Sequence, residues 1–432
     1  MSAAVQPPVK PDEQAGLVPW WDRRWWVVCL LSLGMVIAYL DRVNLSAAIP
    51  DIGKAFSLDK EKQGMAMSAF FWTYTLFQIP SGLLVDKLGV RWPYFFGFLL
   101  WSIAGALTPF TTGLWSLVAL RLLIGMGESV VTPSSMRYIS MHFTERQRGL
   151  AVGLYMTGTK VGPAIGIPIA AFLVKSYGWQ SMFAIIGFAS LVWLIPWMSW
   201  VKGSDIAAQP RSRRVETAAG KAKKVTARQL VTSPAMWGII VGTYCYMYFV
   251  YYCMTWMPTY FKERHGMSIE KMSWYSFVSF GGMAAVAALS GWAADRMIAK
   301  GRDPVNVRKG FTIAGFVLAA TQTFSVFTDS IPLMIFFTVF SLCGLGLATA
   351  NYWALTQTLI PGGSIALVVG IQNTAANLAG TVAPWLTGWL INQTGSFDAP
   401  IKTVGVWLVL GIGCYLLLVR RQFAPRASEP SA

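Results

Sequence analysis

The sequence predicts an all-α membrane protein with twelve transmembrane helices, arranged as two pseudo-symmetric six-helix bundles. Three observations support this fold class. Hydrophobic residues make up 55% of the 432 residues and charged residues only 12%, a balance typical of membrane proteins. Twelve apolar stretches have about the 20 residues that a helix needs to cross a bilayer. A charged motif also occurs twice, once in each half of the chain.

The apolar stretches give the limits of each span and the division of the chain. The predicted spans are 26–47, 63–85, 92–112, 114–137, 149–174, 180–201, 235–258, 272–296, 309–328, 331–356, 365–391 and 401–421. The first 25 residues are polar and lack the apolar core of a signal peptide. We therefore expect a tail (1–25), an N-terminal bundle (26–201), a basic linker (202–234), a C-terminal bundle (235–421) and a second tail (422–432).

The distribution of positive charge predicts the orientation of the spans. Of the 35 Lys and Arg residues, 24 lie in segments on the side of both termini, eight lie on the other side and three lie inside spans. Positive charge is enriched on the cytoplasmic side of membrane proteins. Both termini are therefore expected in the cytoplasm, with the chain in the plasma membrane, most simply a bacterial inner membrane. The net charge of +16 follows from this orientation and does not indicate nucleic-acid binding.

Several function classes find no support in the sequence. The five cysteines are odd in number and lie in apolar stretches, so a disulfide scaffold is not expected. The two histidines lie in connections on opposite faces of the membrane, and no P-loop or G-x-S-x-G motif occurs. We expect no enzyme activity, no cofactor and no metal, and without a nucleotide site any transport must be secondary.

The repeated motif follows the second span and the eighth. It reads Gly82-Leu-Leu-Val-Asp86-Lys87-Leu-Gly89-Val-Arg91 in the first half and Gly291-Trp-Ala-Ala-Asp295-Arg296 in the second. The glycines are expected to permit close helix approach, and the aspartates to bond arginine partners near the helix ends. Two such copies are explained by two duplicated halves.

This motif, repeated in a chain of twelve spans with a central linker, resembles the major facilitator superfamily. The resemblance implies that the motif residues act as a conformational gate that latches the outward-open state, and that the protein functions as a monomer. The gate residues would be Gly82, Asp86, Arg91, Asp295 and Arg296. Three further stretches are similar to the anion:cation symporter branch, whose bacterial members import sugar acids: Tyr39-Leu-Asp41-Arg42-Val-Asn44, Phe71-Trp-Thr-Tyr74-Thr-Leu-Phe-Gln78-Ile-Pro-Ser-Gly82, and Arg121-Leu-Leu-Ile-Gly-Met-Gly-Glu128.

Five charged residues lie in the middle parts of predicted spans, away from the span ends: Asp41, Arg42, Arg121, Glu128 and Lys160. A charge at mid-membrane costs about 2.5–3.5 kcal/mol on insertion scales, so each is a candidate functional residue. Arg121 and Glu128 are seven residues apart and project from nearly one helix face. The surplus of one cation favours a site for an anion, while the alternative is a pair of ion bridges that hold spans one and four together.

The chemistry of these residue types suits carboxylate transport. The arginine fork donates two parallel hydrogen bonds to a carboxylate and keeps its proton, so Arg42 and Arg121 are the expected anion clamps. The resemblance implies that Asp41 and Glu128 carry protons, and it leaves one or two protons per substrate open.

Polar residues around the charges would complete a sugar-sized site. Tyr39, Tyr74 and Gln78 could bind substrate hydroxyls, as could Trp353 in span ten and Asn373 in span eleven. Asn373 is favoured because the Gln372-Asn373-Thr374 stretch matches the family pattern. The alternative for each is a hydrogen bond between helices.

Span five departs from the sugar-acid pattern. It reads Gly158-Thr159-Lys160-Val-Gly162-Pro163-Ala-Ile-Gly166, with a threonine where the family has a substrate-binding glutamine. The same stretch resembles a glycine motif of drug and metabolite antiporters. Lys160 is interpreted either as a third clamp, for a dicarboxylate, or as a lysine that snorkels between helices.

The predicted function is import of an organic carboxylate by proton symport through alternating access. A hexonate, hexarate or hexuronate is the favoured substrate. The expected partners are the carboxylate, protons and membrane lipid. An organic-anion antiporter and a solute sensor without transport activity are the alternatives.

Overall fold

A computed structural model describes residues 18–202, 232–328, 330–360 and 365–420. In the N-terminal half the helices are α1 (Arg23–Ala55), α2 (Lys60–Leu88), α3 (Arg91–Ala106), α4 (Leu114–Glu128), α5 (Val131–His142), α6 (Glu145–Leu191) and α7 (Leu194–Trp200). In the C-terminal half they are α8 (Pro234–Thr255), α9 (Met257–His265), α10 (Ile269–Ala299), α11 (Pro304–Ala320), α12 (Ile331–Leu359), α13 (Ile365–Thr394) and α14 (Asp398–Leu417). Short 3₁₀ helices follow α3 (Thr108–Phe110) and α11 (Thr321–Phe327). Most of both predicted tails and of the predicted linker lies outside the described residues.

The first helix begins with a charged cap on the predicted cytoplasmic side. The Asp22 carboxylate accepts the backbone N–H of Arg24 at 2.8 Å and pairs with its guanidinium at 2.9 Å. Hydrogen bonds from the Arg24 side chain and backbone lower the pKa of Asp22 to about 2. This cap satisfies an N–H of the first turn that would otherwise lack a partner.

Span four, predicted as one helix, is instead divided into α4 and α5 by a turn at Ser129 and Val130. Pro133 in α5 has no N–H to donate to the Ser129 carbonyl four residues earlier, which breaks the helical ladder. The Ser129 hydroxyl donates to the Met126 carbonyl and lies 2.6 Å from the Ser81 hydroxyl of α2. The turn follows Glu128 directly, so the end of α4 is fixed beside this buried acid.

Spans five and six both lie within α6, which bends at Gly178. The φ of Gly178 is +80°, in the region that only glycine adopts without strain. The bend falls between the predicted end of span five and the predicted start of span six, and α7 then completes span six.

By length and composition, seven segments of the described residues can cross a membrane. Apart from the nine-residue α9, the helices that do not qualify are α2, α3, α8 and α13. Helix α3 is only 16 residues long, α8 carries five tyrosines, and α2 and α13 carry polar residues such as Gln78 and Asn373. The polar helices α2, α8 and α13 also pack against one another, α13 contacting both of the others. The polarity of these helices therefore marks the interior of the bundle.

The two halves meet at the ends predicted to lie outside the cell. A Cβ on Gly64 of α2 would come 2.5 Å from the carbonyl oxygen of Pro384 in α13, so only glycine allows this approach. The Trp256 indole N–H donates to the same carbonyl at 2.9 Å. Two ion pairs, Lys60 with Glu263 at 2.5 Å and Lys262 with Asp51 at 3.1 Å, also join the halves.

Glycines near the predicted cytoplasmic ends lack close neighbours among the described residues. A Cβ on Gly82 in α2, Gly149 in α6 or Gly370 in α13 would have no atom of these residues within 4 Å. The prediction that Gly82 and Gly291 permit close helix approach is therefore wrong for this conformation, since a Cβ on Gly291 would reach only Ala350 at 3.5 Å. The physical reason is that the described contacts between the halves lie at their outer ends and in the middle of α2 and α13, whereas the described residues near Gly82 leave a gap, an arrangement typical of an inward-facing conformation.

Candidate functional site

A buried ion pair joins spans one and four at the centre of the N-terminal half. Arg42 of α1 places Nη2 2.9 Å and Nε 3.0 Å from Oε2 of Glu128 in α4. Glu128 is fully buried and Arg42 is 8% exposed. The other carboxylate oxygen, Oε1, has no hydrogen-bond partner among the described residues. The pair is thus one of the two ion bridges that the sequence suggested as the alternative to an anion site. The Glu128 carboxylate can still accept another hydrogen bond.

Three aromatic rings surround the Arg42 guanidinium. Its Cζ lies 4.6 Å from the ring centroid of Tyr39, 4.8 Å from that of Phe70 and 4.6 Å from that of Tyr74. Attraction between a desolvated cation and a ring face contributes about 2 kcal/mol in such settings. Tyr39 and Tyr74, which were predicted to bind substrate hydroxyls, therefore also fix the position of this arginine.

Arg121 lies beside the same ring but has fewer partners. Its Cζ is 5.5 Å from the Phe70 centroid, and Nη1 donates to the backbone carbonyl of Asp41 over a long 3.5 Å. Arg121 is 3% exposed, and its Nε has no partner among the described residues. A buried, unsatisfied donor of a charged group is costly. Arg121 thus has donors available for another acceptor.

The Asp41 carboxylate is also incompletely bonded. It accepts the side-chain N–H of Asn44 at 3.2 Å, and it is half-buried, unlike Glu128. Asp41, Arg42, Arg121 and Glu128 are therefore brought together around Phe70. Arg42 and Glu128 form an ion pair. Asp41 and Arg121 lie near each other but form no ion pair among the described residues.

The two halves meet at the polar residues predicted in α2 and α13. The Asn373 side-chain N–H donates to Oε1 of Gln78 at 3.2 Å, while the Gln78 nitrogen is buried without a partner among the described residues. The neighbouring Gln372 instead donates to Thr243 in its own half at 2.8 Å. Asn373, and not Gln372, therefore faces the N-terminal half. Trp353 is half-buried beside Tyr352, with ring centroids 5.2 Å apart.

Two aromatic residues at this level were missed from the sequence. Phe70 contacts both arginines, and Tyr251 of α8 packs edge-on against Phe71 across the halves, with centroids 4.6 Å apart. A signal for Phe70 was present, because Phe70, Tyr74 and Gln78 recur at four-residue intervals on one helix face. Nothing local distinguished Tyr251 from the other tyrosines of α8.

The glycines of span five pack against α1. A Cβ on Gly162 would lie 2.5 Å from the Tyr39 Cβ, and one on Gly158 would lie 2.7 Å from the Ser32 carbonyl oxygen. Close packing of α6 on α1 therefore explains the glycine spacing. Lys160 lies between these glycines in sequence but projects away from α1. It is half-buried, and no carboxylate of the described residues lies within the 4.0 Å ion-pair distance of its ammonium.

The first copy of the charged motif is held within the N-terminal half. The Asp86 carboxylate pairs with Arg137 of α5. Arg91 donates to the Met198 carbonyl at 3.0 Å, and its guanidinium lies over the Trp92 ring.

The second copy has the same arrangement in the C-terminal half. Asp295 pairs with Arg308 of α11 at 2.8 Å, and the Arg296 guanidinium lies 5.3 Å from the Trp292 ring centroid. Each copy thus joins helices of its own half, as expected when the cytoplasmic ends of the halves are apart.

Comparison with known proteins agrees with this arrangement. The family model of the Major Facilitator Superfamily matches residues 31–380. The D-galactonate transporter of Escherichia coli is 30% identical over 413 residues, which cover 92% of this chain and 96% of the relative. The probable galactarate/D-glucarate transporter of Bacillus subtilis is 29% identical over 419 residues, 92% of each chain. These relatives confirm the resemblance to anion and sugar-acid transporters.

The fold is also that of a solved transporter. A bacterial homolog of the human lysosomal transporter Spinster, in an inward-facing and unoccupied conformation, superimposes with a TM-score of 0.76 at 18% identity. The match covers 93% of this chain and 98% of the other. The prediction of a major facilitator fold is confirmed.

Proposed function

Because the chain belongs to the Major Facilitator Superfamily, we propose that it is a secondary active transporter that imports an organic carboxylate by proton symport. The observation that carries the proposal is the buried group of two arginines and two acids around Phe70. A hexonate, hexarate or hexuronate is the proposed substrate. Relatives that are named as galactonate and galactarate/glucarate transporters support this substrate class.

Arg121 is the proposed docking point for the substrate carboxylate. Its guanidinium is buried, holds only one long hydrogen bond and has an unpartnered Nε among the described residues. A carboxylate would satisfy these donors with two parallel, charge-assisted bonds. Tyr39, Tyr74 and Gln78 line the same region, and Asn373 reaches it from the other half, so the hydroxyls of a sugar acid would find partners on both sides.

Asp41 and Glu128 are the proposed proton carriers, with different roles in this conformation. Glu128 is held in an ion pair by Arg42, whereas Asp41 accepts the Asn44 amide and lies near Arg121 without an ion pair among the described residues. An acid outside an ion pair can exchange its proton without first separating from a cation. We therefore assign proton release towards the cytoplasm to Asp41, and assign to Glu128 a second step that requires Arg42 to leave it.

Alternating access would close one end of the site as the other opens. The outer ends are closed by the Lys60–Glu263 and Lys262–Asp51 pairs. We propose that these pairs break in the outward-facing state, when the gate residues Gly82, Asp86, Arg91, Asp295 and Arg296 come into contact between the halves. The excess of positive charge on one side supports a plasma-membrane location with cytoplasmic termini, in a bacterial inner membrane, with the monomer as the functional unit.

Uptake into proteoliposomes tests the proposal. We expect labelled galactonate or galactarate to accumulate under an inward proton gradient. Arg121→Gln should abolish this uptake. Lys402→Gln, the control, removes one charge at the outer surface and should leave uptake intact. A valinomycin-imposed potential distinguishes the stoichiometries: two protons with a monoanion move one net charge, worth about 2.3 kcal/mol per 100 mV. Uptake that needs a trans substrate and ignores the proton gradient would show an exchanger instead, and binding without any uptake would show a sensor.

A further inference from the structure

Lys160 lies where one face of α6 changes from exposed to buried. Positions three or four residues apart on this face are 149, 153, 156, 160, 163 and 167. The first three are exposed, Lys160 is half-buried, and Pro163 and Ile167 are buried. A Cβ on Gly149 or Gly153 would have no atom of the described residues within 4 Å. The face is thus accessible towards the predicted cytoplasmic side and buried towards the outer side, with Lys160 at the transition.

Lys160 is also at the level of the arginines. Gly162, two residues further along α6, contacts Tyr39 of α1, and the Tyr39 ring lies under the Arg42 guanidinium. Two residues of a helix rise about 3 Å, so the Lys160 backbone lies within one turn of this layer. The side chain has no carboxylate within ion-pair distance among the described residues, although a half-buried ammonium inside a membrane span is costly without a partner.

Charge balance in this layer leaves two cations for the substrate. The Arg42 and Glu128 charges cancel in their ion pair. When Asp41 carries a proton, the remaining charges are those of Arg121 and Lys160. A monoanion would leave one positive charge unbalanced in the membrane interior, whereas a dianion would neutralise both.

We propose that Lys160 is a specificity-determining residue that binds the second carboxylate of a dicarboxylate, and that the substrate is therefore a hexarate-like dianion. This inference rests on the proposed transport of organic carboxylates. Arg121 binds one carboxylate and Lys160 the other, with the hydroxyls of the chain between them.

A matched pair of ligands tests the inference. Galactonate and galactarate differ only at carbon 6, which is a hydroxymethyl group in the first and a carboxylate in the second. Binding of each to the purified full-length protein is measured at pH 7 by calorimetry. We expect galactarate to bind at least tenfold more tightly. We further expect Lys160→Gln to remove this preference by weakening galactarate binding at least tenfold, with galactonate binding changed by less than threefold.

Lys160→Arg keeps the charge and should keep the preference for galactarate. Galactonate binding and the unfolding temperature show whether each variant is folded. Equal or tighter galactonate binding by the wild type overturns the inference but leaves carboxylate transport standing. An equal loss of both ligands in Lys160→Gln also overturns it, because the lysine would then support the fold and not the second carboxylate. If the wild type binds and transports neither ligand, nor any other sugar acid, the proposed function fails and this inference fails with it.

Discussion

Replacing Glu128 with glutamine separates the structural role of the buried ion pair from its role in coupling. The change keeps the shape of the side chain and removes the charge that Arg42 contacts at 2.9 Å. At that distance the attraction between unit charges is about 6 kcal/mol for an effective dielectric constant of about 20. Arg42 stays buried and loses its counter-charge. Removing one partner of a buried ion pair typically lowers the free energy of unfolding by about 3–5 kcal/mol. We expect a loss of stability of that size.

Denaturant unfolding in detergent measures this loss, and Glu263→Gln is the matched control. Glu263 pairs with Lys60 at the outer end, where the two side chains are 33% and 24% exposed, so the same substitution should cost less than about 1 kcal/mol there. The double variant Arg42→Gln/Glu128→Gln should recover part of the loss, because the unpaired cation is removed. A loss below about 1 kcal/mol for Glu128→Gln would refute the view that a desolvated ion pair holds α1 to α4.

The transport assay addresses the coupling role of Glu128. Counterflow, which needs only the exchange of substrate between two faces, should persist in Glu128→Gln at a reduced rate. Accumulation driven by a proton gradient should be lost. Proton-dependent uptake at the wild-type rate in this variant would show that the coupling assignment is wrong.

Three further predictions concern the outer gate and the first helix. Lys262→Asp should favour the outward-facing state, because it places two acids together at the 3.1 Å contact with Asp51, and labelling of cysteine probes at the outer ends should increase. Adding Asp51→Lys to the same chain should return the labelling to the wild-type level. Labelling that stays high in the double variant would contradict a direct pair. Gly64→Val should prevent closure of the outer ends, because a Cβ already comes 2.5 Å from a backbone oxygen of the other half, and unchanged counterflow would refute this. Asp22→Asn keeps the capping acceptor but removes the charge that pairs with Arg24 and faces the helix N-terminus, so it should lower stability by up to about 1 kcal/mol. Because the folded pKa of Asp22 is about 2, below its unfolded value of about 4, this difference should stay constant from pH 7 to 5 and shrink below pH 4, whereas a constant difference down to pH 3 would exclude the charge as its cause.

The sequence predicted the order of the apolar segments because hydrophobic length is a local property, although the helices do not correspond one to one with the predicted spans. Of the five charges placed inside spans, Arg42, Arg121 and Glu128 are buried, whereas Asp41 and Lys160 are half-buried. The seven-residue spacing placed Arg121 and Glu128 on one face. The break after Glu128 was missed, since Pro133 lies four residues beyond the carbonyl that it deprives of a hydrogen bond. A proline in an apolar stretch is compatible with either a kink or a break.

Partner choice among the buried charges could not be read from the sequence. Arg42 could have paired with Asp41 or Glu128, and the choice depends on how α1 rotates against α4. Part of the orientation of α1 comes from its packing on α6, where Gly158 and Gly162 allow close approach at Ser32 and Tyr39. The conformation was likewise beyond local patterns, since Gly82 was expected to pack tightly and instead has no close neighbour among the described residues.

The placement of charge in the two halves bears on how such a protein can move. Arg42, Arg121, Glu128 and Lys160 all belong to the N-terminal half, whereas Asn373 of the C-terminal half contributes a neutral side chain, hydrogen-bonded to Gln78. If both halves carried fixed charges at this interface, an ion pair formed in one conformation would have to break before the pair of the other conformation could form. In a low-dielectric interior this would raise the energy barrier between the two conformations. An interface that is charged on one side and neutral on the other avoids this cost. In the proposed mechanism, substrate and protons set the charge of the N-terminal half while the C-terminal half rocks over it. Among the described residues, the ion pairs between the halves lie at the outer ends, where water lowers the cost of breaking them.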